Sequence, residues 1–381
     1  MKILVTGAAG FVGKNLVAEL ENISLGKCVF EGIPKESVIL KADIDTPKET
    51  LKEYCKDCDF VFHLAGVNRP KEEKEFTEGN LDSLSQVISF LTQQENFCPI
   101  VLSSSTQAAL DNPYGESKRM AEAALDEYSA KTGAKVYKFR FPGLFGKWCR
   151  PNYNSVVATF CHNTAHGIEL RIDAPEKEIV LAYIDDVVRA LLGCVVDSVQ
   201  KNSDGFCVVN PTYTVSLQRL AQLLTKFKED RCKLQVPYLA DGFERSLYAT
   251  YLSYLPEDNF SYLLDTHSDF RGSFTEIIRT PDRGQVSVNI SKPHITKGNH
   301  WHHTKNEKFC VVSGTGVIRF RDIHSDKVLE YFVSGDKMEV VDIPTGYTHN
   351  IENLGDTDMI TVMWASEAFD PNRPDTYFLE V

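Results

Sequence analysis

The chain has 381 residues and a formal net charge of −12, which is long enough for two domains that each bury a core. The acidic balance excludes nucleic acid and an anionic membrane surface as partners, because both demand a basic face. Met1-Lys2 leads straight into an apolar strand, no apolar run approaches the length of a membrane span, and the ten cysteines are scattered, so a cytoplasmic protein with reduced thiols is expected, Cys55 and Cys58 included.

The first predicted element is the strand Lys2-Ile3-Leu4-Val5, which runs through Thr6-Gly7-Ala8-Ala9-Gly10-Phe11-Val12-Gly13 into a helix. Gly7 permits a tight turn, Gly10 lets backbone approach a phosphate, and Gly13 lets helix and strand pack closely. The helix N-terminus supplies N–H groups and a positive dipole. The spacing Gly-x-x-Gly-x-x-Gly is one residue longer than the common dinucleotide fingerprint. Buried strands follow at residues 37–41, ending at Asp43, and at 60–66. Strands alternating with helices predict a doubly wound parallel α/β sheet of the Rossmann kind.

The next strand, Ile100-Val101-Leu102, ends in Ser103-Ser104-Ser105, which puts hydroxyls at the carboxyl edge of the sheet, where such folds bind ligands. Tyr114-Gly115-Glu116-Ser117-Lys118 comes after it, and positions four apart share a helix face. A nearby Lys118 ammonium is expected to lower the Tyr114 pKa, as proton exchange with a carbonyl or alcohol near neutral pH requires.

Together the glycine turn, the serine run and Tyr114-x-x-x-Lys118 resemble the short-chain dehydrogenase/reductase family, in its extended branch acting on nucleotide sugars, over residues 1–243. The resemblance implies that Ser105 orients the substrate carbonyl, with Ser104 the near alternative, that Tyr114 is the general acid, and that Lys118 holds the nicotinamide ribose. It implies cofactor contacts from Gly7, Gly10, Phe11, Val12 and Gly13 at the pyrophosphate, Asp43 and Ile44 at the adenine, and Leu64, Ala65 and Gly66 alongside, together with Tyr114 and Lys118. Residues 140–146, beginning at Arg140, fall where the family places a sugar-nucleotide loop, with Gly143 where many relatives carry Asn. Tyr183-Ile184-Asp185-Asp186-Val187 falls on a later motif. NADPH is the expected cofactor, with Lys35 as a partner for its 2'-phosphate, although Glu31 lies near where an acidic residue binds an unphosphorylated ribose. Lys147, Arg150, Arg171 and Arg189 are candidates for a substrate diphosphate.

Residues 244–259 read as a helical linker. Beyond them, in residues 260–381, short strands are predicted at 285–290, 308–312, 317–320, 329–333, 339–343 and 359–364, punctuated by Gly314, Gly316, Gly335 and Gly355. In Gly298-Asn299-His300-Trp301-His302-His303, alternation puts His300 and His302 on one face, Trp301 and His303 on the other. Glu307 follows the turn Thr304-Lys305-Asn306, and His349 follows Pro344-Thr345-Gly346-Tyr347-Thr348. The imidazoles of His300, His302 and His349 with the Glu307 carboxylate suit zinc, iron, manganese or nickel rather than calcium or magnesium. One divalent metal is expected, zinc foremost. The pattern resembles the cupin double motif, which implies an all-β jelly-roll barrel and, because cupins often pair through exchanged strands, a homodimer.

Joined in this order, the halves resemble the bifunctional reductases of capsular polysaccharide and O-antigen precursor synthesis. The resemblance implies a UDP-sugar substrate. The cupin half would epimerise a UDP-4-keto-6-deoxy-N-acetylhexosamine at carbon 3, and the first half would reduce the 4-keto group with NADPH, giving a UDP-N-acetyl-L-talosamine-type precursor of UDP-N-acetyl-L-fucosamine. Two other readings stay open: a redox-neutral, NAD-retaining epimerase or dehydratase, and a cupin that only dimerises. A site of three histidines and one glutamate is already four-coordinate, which leaves structural and catalytic roles for the metal equally open. His303 and Tyr347, beside the motif, are candidates for the exchange base.

Overall fold

The computed structural model describes residues 1–70 and 72–381. They form two compact units, Met1–Leu224 with Ser246–Leu255, and Thr225–Arg245 with Pro256–Val381.

The first unit is built on β1 (Lys2–Thr6), in which Ile3, Leu4 and Val5 are fully buried, the unbroken apolar run of a strand covered on both faces. It passes through the glycine turn into α1 (Phe11–Ser24), whose Leu16, Val17, Leu20 and Ile23 face the core. Then come β2 (Val38–Ala42), α2 (Lys48–Asp57) and β3 (Phe60–His63). The short α3 (Lys74–Thr77) runs through a π-helical turn at Glu78–Asp82 into α4 (Ser83–Gln93), followed by β4 (Ile100–Ser105), α5 (Pro113–Thr132) and β5 (Val136–Phe141). The five strands are parallel in the order β2-β1-β3-β4-β5, so the order reverses at β1 and β3, and the crevice above their carboxyl ends is where such sheets take ligands. The boundaries of α5 follow from its ends: Asn112 Oδ1 accepts from Gly115 N at 2.8 Å, Pro113 opens the first turn, and Gly133 closes the helix at φ 75°.

A smaller sheet follows, β6 (Gly143–Phe145) parallel to β7 (Glu178–Tyr183), with β8 (Tyr213–Ser216) antiparallel to β7; α6 (Val156–Ala165), α7 (Ile184–Gly193), α8 (Leu217–Cys232) and α9 (Gly242–Leu252) connect and follow these strands. Among the described residues no helix is long and apolar enough to cross a membrane.

The segment between α1 and β2 departs from expectation. It holds no strand beyond a Phe30–Ile33 bridge, and the neighbour of β1 is β2 itself. Glu36 N donates to Ser24 O at 2.9 Å, and Lys35 lies against Gly26 just past the end of α1. That is the amino-terminal edge of the sheet, about 20 Å, the length of α1, from the glycine turn. Lys35 therefore cannot reach a cofactor at the carboxyl edge, and Glu31 lies exposed in the tight Phe30–Ile33 turn of the same segment.

The second unit is all-β. Its strands are β9 (Thr266–Asp269), β10 (Gly272–Thr280), β11 (Gly284–Ser291), β12 (Thr296–Trp301), β13 (Glu307–Ser313), β14 (Thr315–Asp322), β15 (Val328–Ser334), β16 (Val340–Ile343), β17 (Tyr347–Asn353), β18 (Met359–Ala365) and β19 (Tyr377–Phe378). They form two antiparallel sheets, β16-β13-β18-β11-β10-β9 and β15-β14-β17-β12-β19, the arrangement of a jelly roll. Phe309, Val311, Ile318, Phe320, Val333, Val341, Ile343, Ile351 and Met359 fill its core. Five of the strands expected between residues 285 and 364 lie within β11, β13, β14, β15 and β18; the sixth, expected from Glu339, begins one residue later as β16.

Candidate functional sites

At the tip of β1, Gly7 has φ 67°, and a Cβ there would stand 2.6 Å from Ala65 N; one on Gly13 would stand 2.0 Å from Gly7 O. Turn, helix and the chain after β3 thus pack at distances only hydrogen can fill. Gly10 precedes α1 in an extended conformation with no side-chain cap, and the first turn of the helix has no acidic residue. A helix N-terminus left open in this way fits the pyrophosphate of a dinucleotide. Phe11 and Val12 form that first turn. Asp43 follows β2, its Oδ2 accepting from Ala9 N at 2.7 Å and its Oδ1 from Ile44 N at 2.8 Å, while the Ile44 side chain is exposed.

Leu64, Ala65 and Gly66 follow β3, and a Cβ on Gly66 would lie 3.0 Å from Lys118 Nζ and 2.8 Å from Asn80 Oδ1. Asn80 is buried; its Oδ1 accepts from Val67 N and its Nδ2 donates to Ser117 Oγ, both at 3.0 Å. Asn80 therefore ties the π-helical turn to α5, a part the sequence reading missed.

The serine run divides by strand alternation. Ser104 Oγ donates to Glu122 Oε1 at 2.5 Å, and Arg140 grips the same carboxylate through Nε and Nη2 at 2.9 and 2.7 Å. Ser105 faces the other way, toward Tyr114. Lys118, one turn along α5, donates to Ser103 O at 3.0 Å and sits 5.8 Å from the Tyr114 ring centroid. Burial raises the Tyr114 pKa, with Ser105 pulling it partly back. This corrects the expectation that Lys118 lowers it. Lys118 is itself 5% exposed, and burial pushes its pKa down to about 8, Glu122 opposing. Arg140, expected in a sugar-nucleotide loop, is instead committed to Glu122. Lys147 pairs with Asp185 at 2.6 Å and Arg189 with Asp186 at 2.8 Å, while Arg150 lies over Tyr153; Arg171 is exposed.

In the second unit, His300 and His302 leave β12 with ring centroids 5.0 Å apart, and register pairs His300 with His349 of β17, rings 4.6 Å apart. Glu307 opens β13. One ligand atom from each of the four residues lies within 4.8 Å of the others. Glu307 Oε2 is 3.4 Å from Nε2 of both His302 and His349, and these three buried atoms have no hydrogen-bond partner. Orphaned donors and acceptors of this kind cost about 1–3 kcal/mol each, and their convergence fits a divalent cation of the zinc type. Burial, reinforced by His349 and His302, lowers His300 to about 4; burial would lift Glu307, but His302 and His349 hold it at about 2.

The support for His302 comes from the chain terminus. His302 Nδ1 lies 2.6 Å from Asp375 O; a carbonyl only accepts, so Nδ1 carries the proton and Nε2 is left free toward the cluster. The Asp375 carboxylate accepts from the backbone N of His303, Thr304 and Lys305 at 3.0, 2.9 and 2.8 Å, and from Thr304 Oγ1. Burial opposes its ionisation, but these donors hold it far below the usual carboxylate range. A cavity of about 370 Å³ opens beside the cluster, lined by His300, Glu307, His349, Asn289 and Lys297 among others. His303 and Tyr347 are not in its wall. His303 is exposed, its ring against Trp301 and Tyr377.

Parallel sheet, glycine turn and tyrosine–lysine pair define a nucleotide-cofactor-binding α/β unit, joined to a jelly roll with a histidine/glutamate centre. The chain belongs to the NAD dependent epimerase/dehydratase family, whose profile matches residues 3–205; residues 267–377 match the polysaccharide biosynthesis C-terminal domain. It is 43% identical, over 100% of its length and 99% of the relative's, to UDP-2-acetamido-2,6-beta-L-arabino-hexul-4-ose reductase of Pseudomonas aeruginosa. The crystal structure of the capsular polysaccharide assembling protein CapF of Staphylococcus aureus superposes with a TM-score of 0.91 at 52% identity, each chain covered completely. UDP-glucose 4-epimerase of Thermus thermophilus, at 18% identity over 67% of this chain and 99% of its own, with a TM-score of 0.52, shares the fold of the first unit alone.

Proposed function

We propose that this chain converts a UDP-linked 4-keto-6-deoxy-N-acetylhexosamine in two steps, epimerisation at carbon 3 in the jelly roll and reduction at carbon 4 in the α/β unit. The observation that carries the reading is the meeting of Ser105, Tyr114 and Lys118 at the carboxyl edge of β4, beside Gly66. When bound, the reduced nicotinamide supplies a hydride to carbon 4. Ser105 hydrogen-bonds the carbonyl oxygen, and the Tyr114 hydroxyl gives it a proton as it becomes an alkoxide. Burial keeps Tyr114 protonated until then. Lys118 would hold the nicotinamide ribose. Support for the substrate comes from the Pseudomonas relative, whose printed name is that of a UDP-hexul-4-ose reductase. The four-residue centre would hold a divalent ion through His300, His302, Glu307 and His349, which as a Lewis acid can stabilise an enolate or can lock the barrel.

NADPH is the cofactor that the resemblance implies. A second reading, NADH, is favoured by one observation: the residue at the tip of the strand beside β1 is Asp43, a carboxylate where a 2'-phosphate would be repelled.

The test mixes purified protein with UDP-2-acetamido-2,6-dideoxy-hexos-4-ulose and either NADPH or NADH in deuterated water, following absorbance and the product by NMR. Cofactor oxidation with deuterium at carbon 3 is expected. Oxidation without deuterium would reduce the jelly roll to a structural module, and no oxidation with either cofactor would overturn the reading.

A further inference from the structure

The cavity beside the histidine/glutamate cluster contains a cation that no metal role uses. Lys297 and His300 are three residues apart and would face opposite sides of a regular strand. A bulge between Gly298 and His300, with Asn299 at φ 59°, breaks the alternation. Lys297 pairs across the sheet with Ile351 and His300 with His349, and those partners, two apart on β17, are both buried on its inner face. Lys297 therefore joins His300 inside the barrel, about 7 Å along the strands.

Around Lys297 the cavity wall is polar, with Asp269, Arg271 and Asn289 in it, while Phe274, Phe309, Ile351 and Met363 supply an apolar side. On β11 the buried positions are Ser287, Asn289 and Ser291, while Val286, Val288 and Ile290 are turned outward and only half-buried. This reverses the pattern of an apolar core strand. Lys297 Nζ donates to Asn289 Oδ1 at 2.7 Å and Ile290 O at 2.8 Å, which fills two of the three positions on a lysine nitrogen and leaves one for an occupant. Burial lowers the Lys297 pKa, with Asp269 raising it and Arg271 lowering it again.

We propose that this cavity binds the 4-keto sugar and that Lys297 Nζ takes the proton from carbon 3. The inference rests on the epimerase reading above and assigns the base which that reading leaves open. As a free amine, Nζ accepts the carbon-3 proton, and the C–H electron pair becomes the C3=C4 double bond of an enolate, with the negative charge on the carbon-4 oxygen. Return of a proton to carbon 3 collapses the enolate to the ketone. Delivery from the opposite face, by a second donor, inverts the centre. Exchange of the abstracted proton with solvent needs Lys297 alone, and no oxidant or reductant enters.

The experiment follows deuterium incorporation at carbon 3 by NMR in deuterated water, without nicotinamide cofactor, using the full chain with its metal content measured. Wild type is expected to exchange. Lys297→Gln and Lys297→Arg should each lose at least about 100-fold, with wild-type metal content and melting temperature. Arginine keeps the hydrogen bonds to Asn289 and Ile290 but stays protonated. If Lys297→Arg exchanges within about threefold of wild type, or loses its metal or fold along with exchange, Lys297 is a strut and not the base, while the epimerase reading stands on the wild-type result. If wild type itself fails to exchange, the reading and this assignment fall together.

Discussion

Lys118 is held in an environment that opposes its own charge. It is 5% exposed, and its pKa stands at about 8 against 10.5 for the free side chain. The unfolded chain therefore binds this proton more tightly, so stability rises with pH between about 8 and 10.5 and the full penalty is present below 8. The shift corresponds to about 3 kcal/mol. Lys118→Met removes the buried charge but leaves Ser103 O unpaired, which returns about 1 kcal/mol. We expect the variant to be more stable than wild type by about 2 kcal/mol at pH 7, to lose the rise in stability toward pH 10, and to reduce no keto sugar. Urea titrations at pH 7 and pH 10 check this, and a less stable variant would mean that contacts of the ammonium outweigh its desolvation. Tyr114→Phe should lower cofactor oxidation about 10²- to 10⁴-fold while leaving nicotinamide binding measurable by fluorescence.

The elements differ in how their support is arranged. The turn between β12 and β13 places His302 and Glu307, yet the atoms that fix it belong to Asp375 near the chain end. Asp375→Ala should weaken metal retention about 10- to 100-fold, measured by competition with a chromogenic chelator; unchanged retention would show that the turn holds its shape unaided. Gly13→Ala should abolish dinucleotide binding, because its Cβ would meet Gly7 O at 2.0 Å, and titration calorimetry reads the loss. Much of this was legible in the chain. Alternation located the strands of the barrel, and the glycine spacing located the turn into α1. The four cluster residues were readable from their spacing, although only β12 and β17 pair and Glu307 enters from the opposite sheet. What stayed hidden depends on pairing and burial rather than local pattern. Asp375 lies 73 residues from His302 and carries no motif. Lys297 reads as an outward side chain until the bulge after it is seen. The Tyr114 shift had the wrong sign because desolvation, invisible in the sequence, outweighs a lysine 5.8 Å from the ring. Lys35 and Glu31 were misplaced because both precede β2 and so lie toward the amino-terminal edge of the sheet, whereas the glycine turn opens at its carboxyl edge.

At the scale of the whole molecule, the two candidate sites occupy separate compact units and depend on different groups. Chelation of the metal should therefore lower the melting temperature of the jelly roll by exposing the unpaired Nε2 and Oε2 atoms of His302, His349 and Glu307, and should leave nicotinamide affinity unchanged. A stronger consequence concerns the intermediate. In the proposed sequence, reduction would convert the carbon-4 ketone to an alcohol, and without that ketone carbon 3 is no longer acidic, so epimerisation would have to come first and reduction would trap its result. If the epimerised ketone is released between the steps, Tyr114→Phe, which makes it but cannot reduce it, should complement Lys297→Arg, which reduces but cannot epimerise. Mixed in equal amounts, the two inactive variants should regain product at a rate that grows with enzyme concentration and approaches that of wild type. A mixture that stays inactive, while each variant retains its one partial reaction, would mean that the intermediate passes only within a single chain or a fixed assembly of chains.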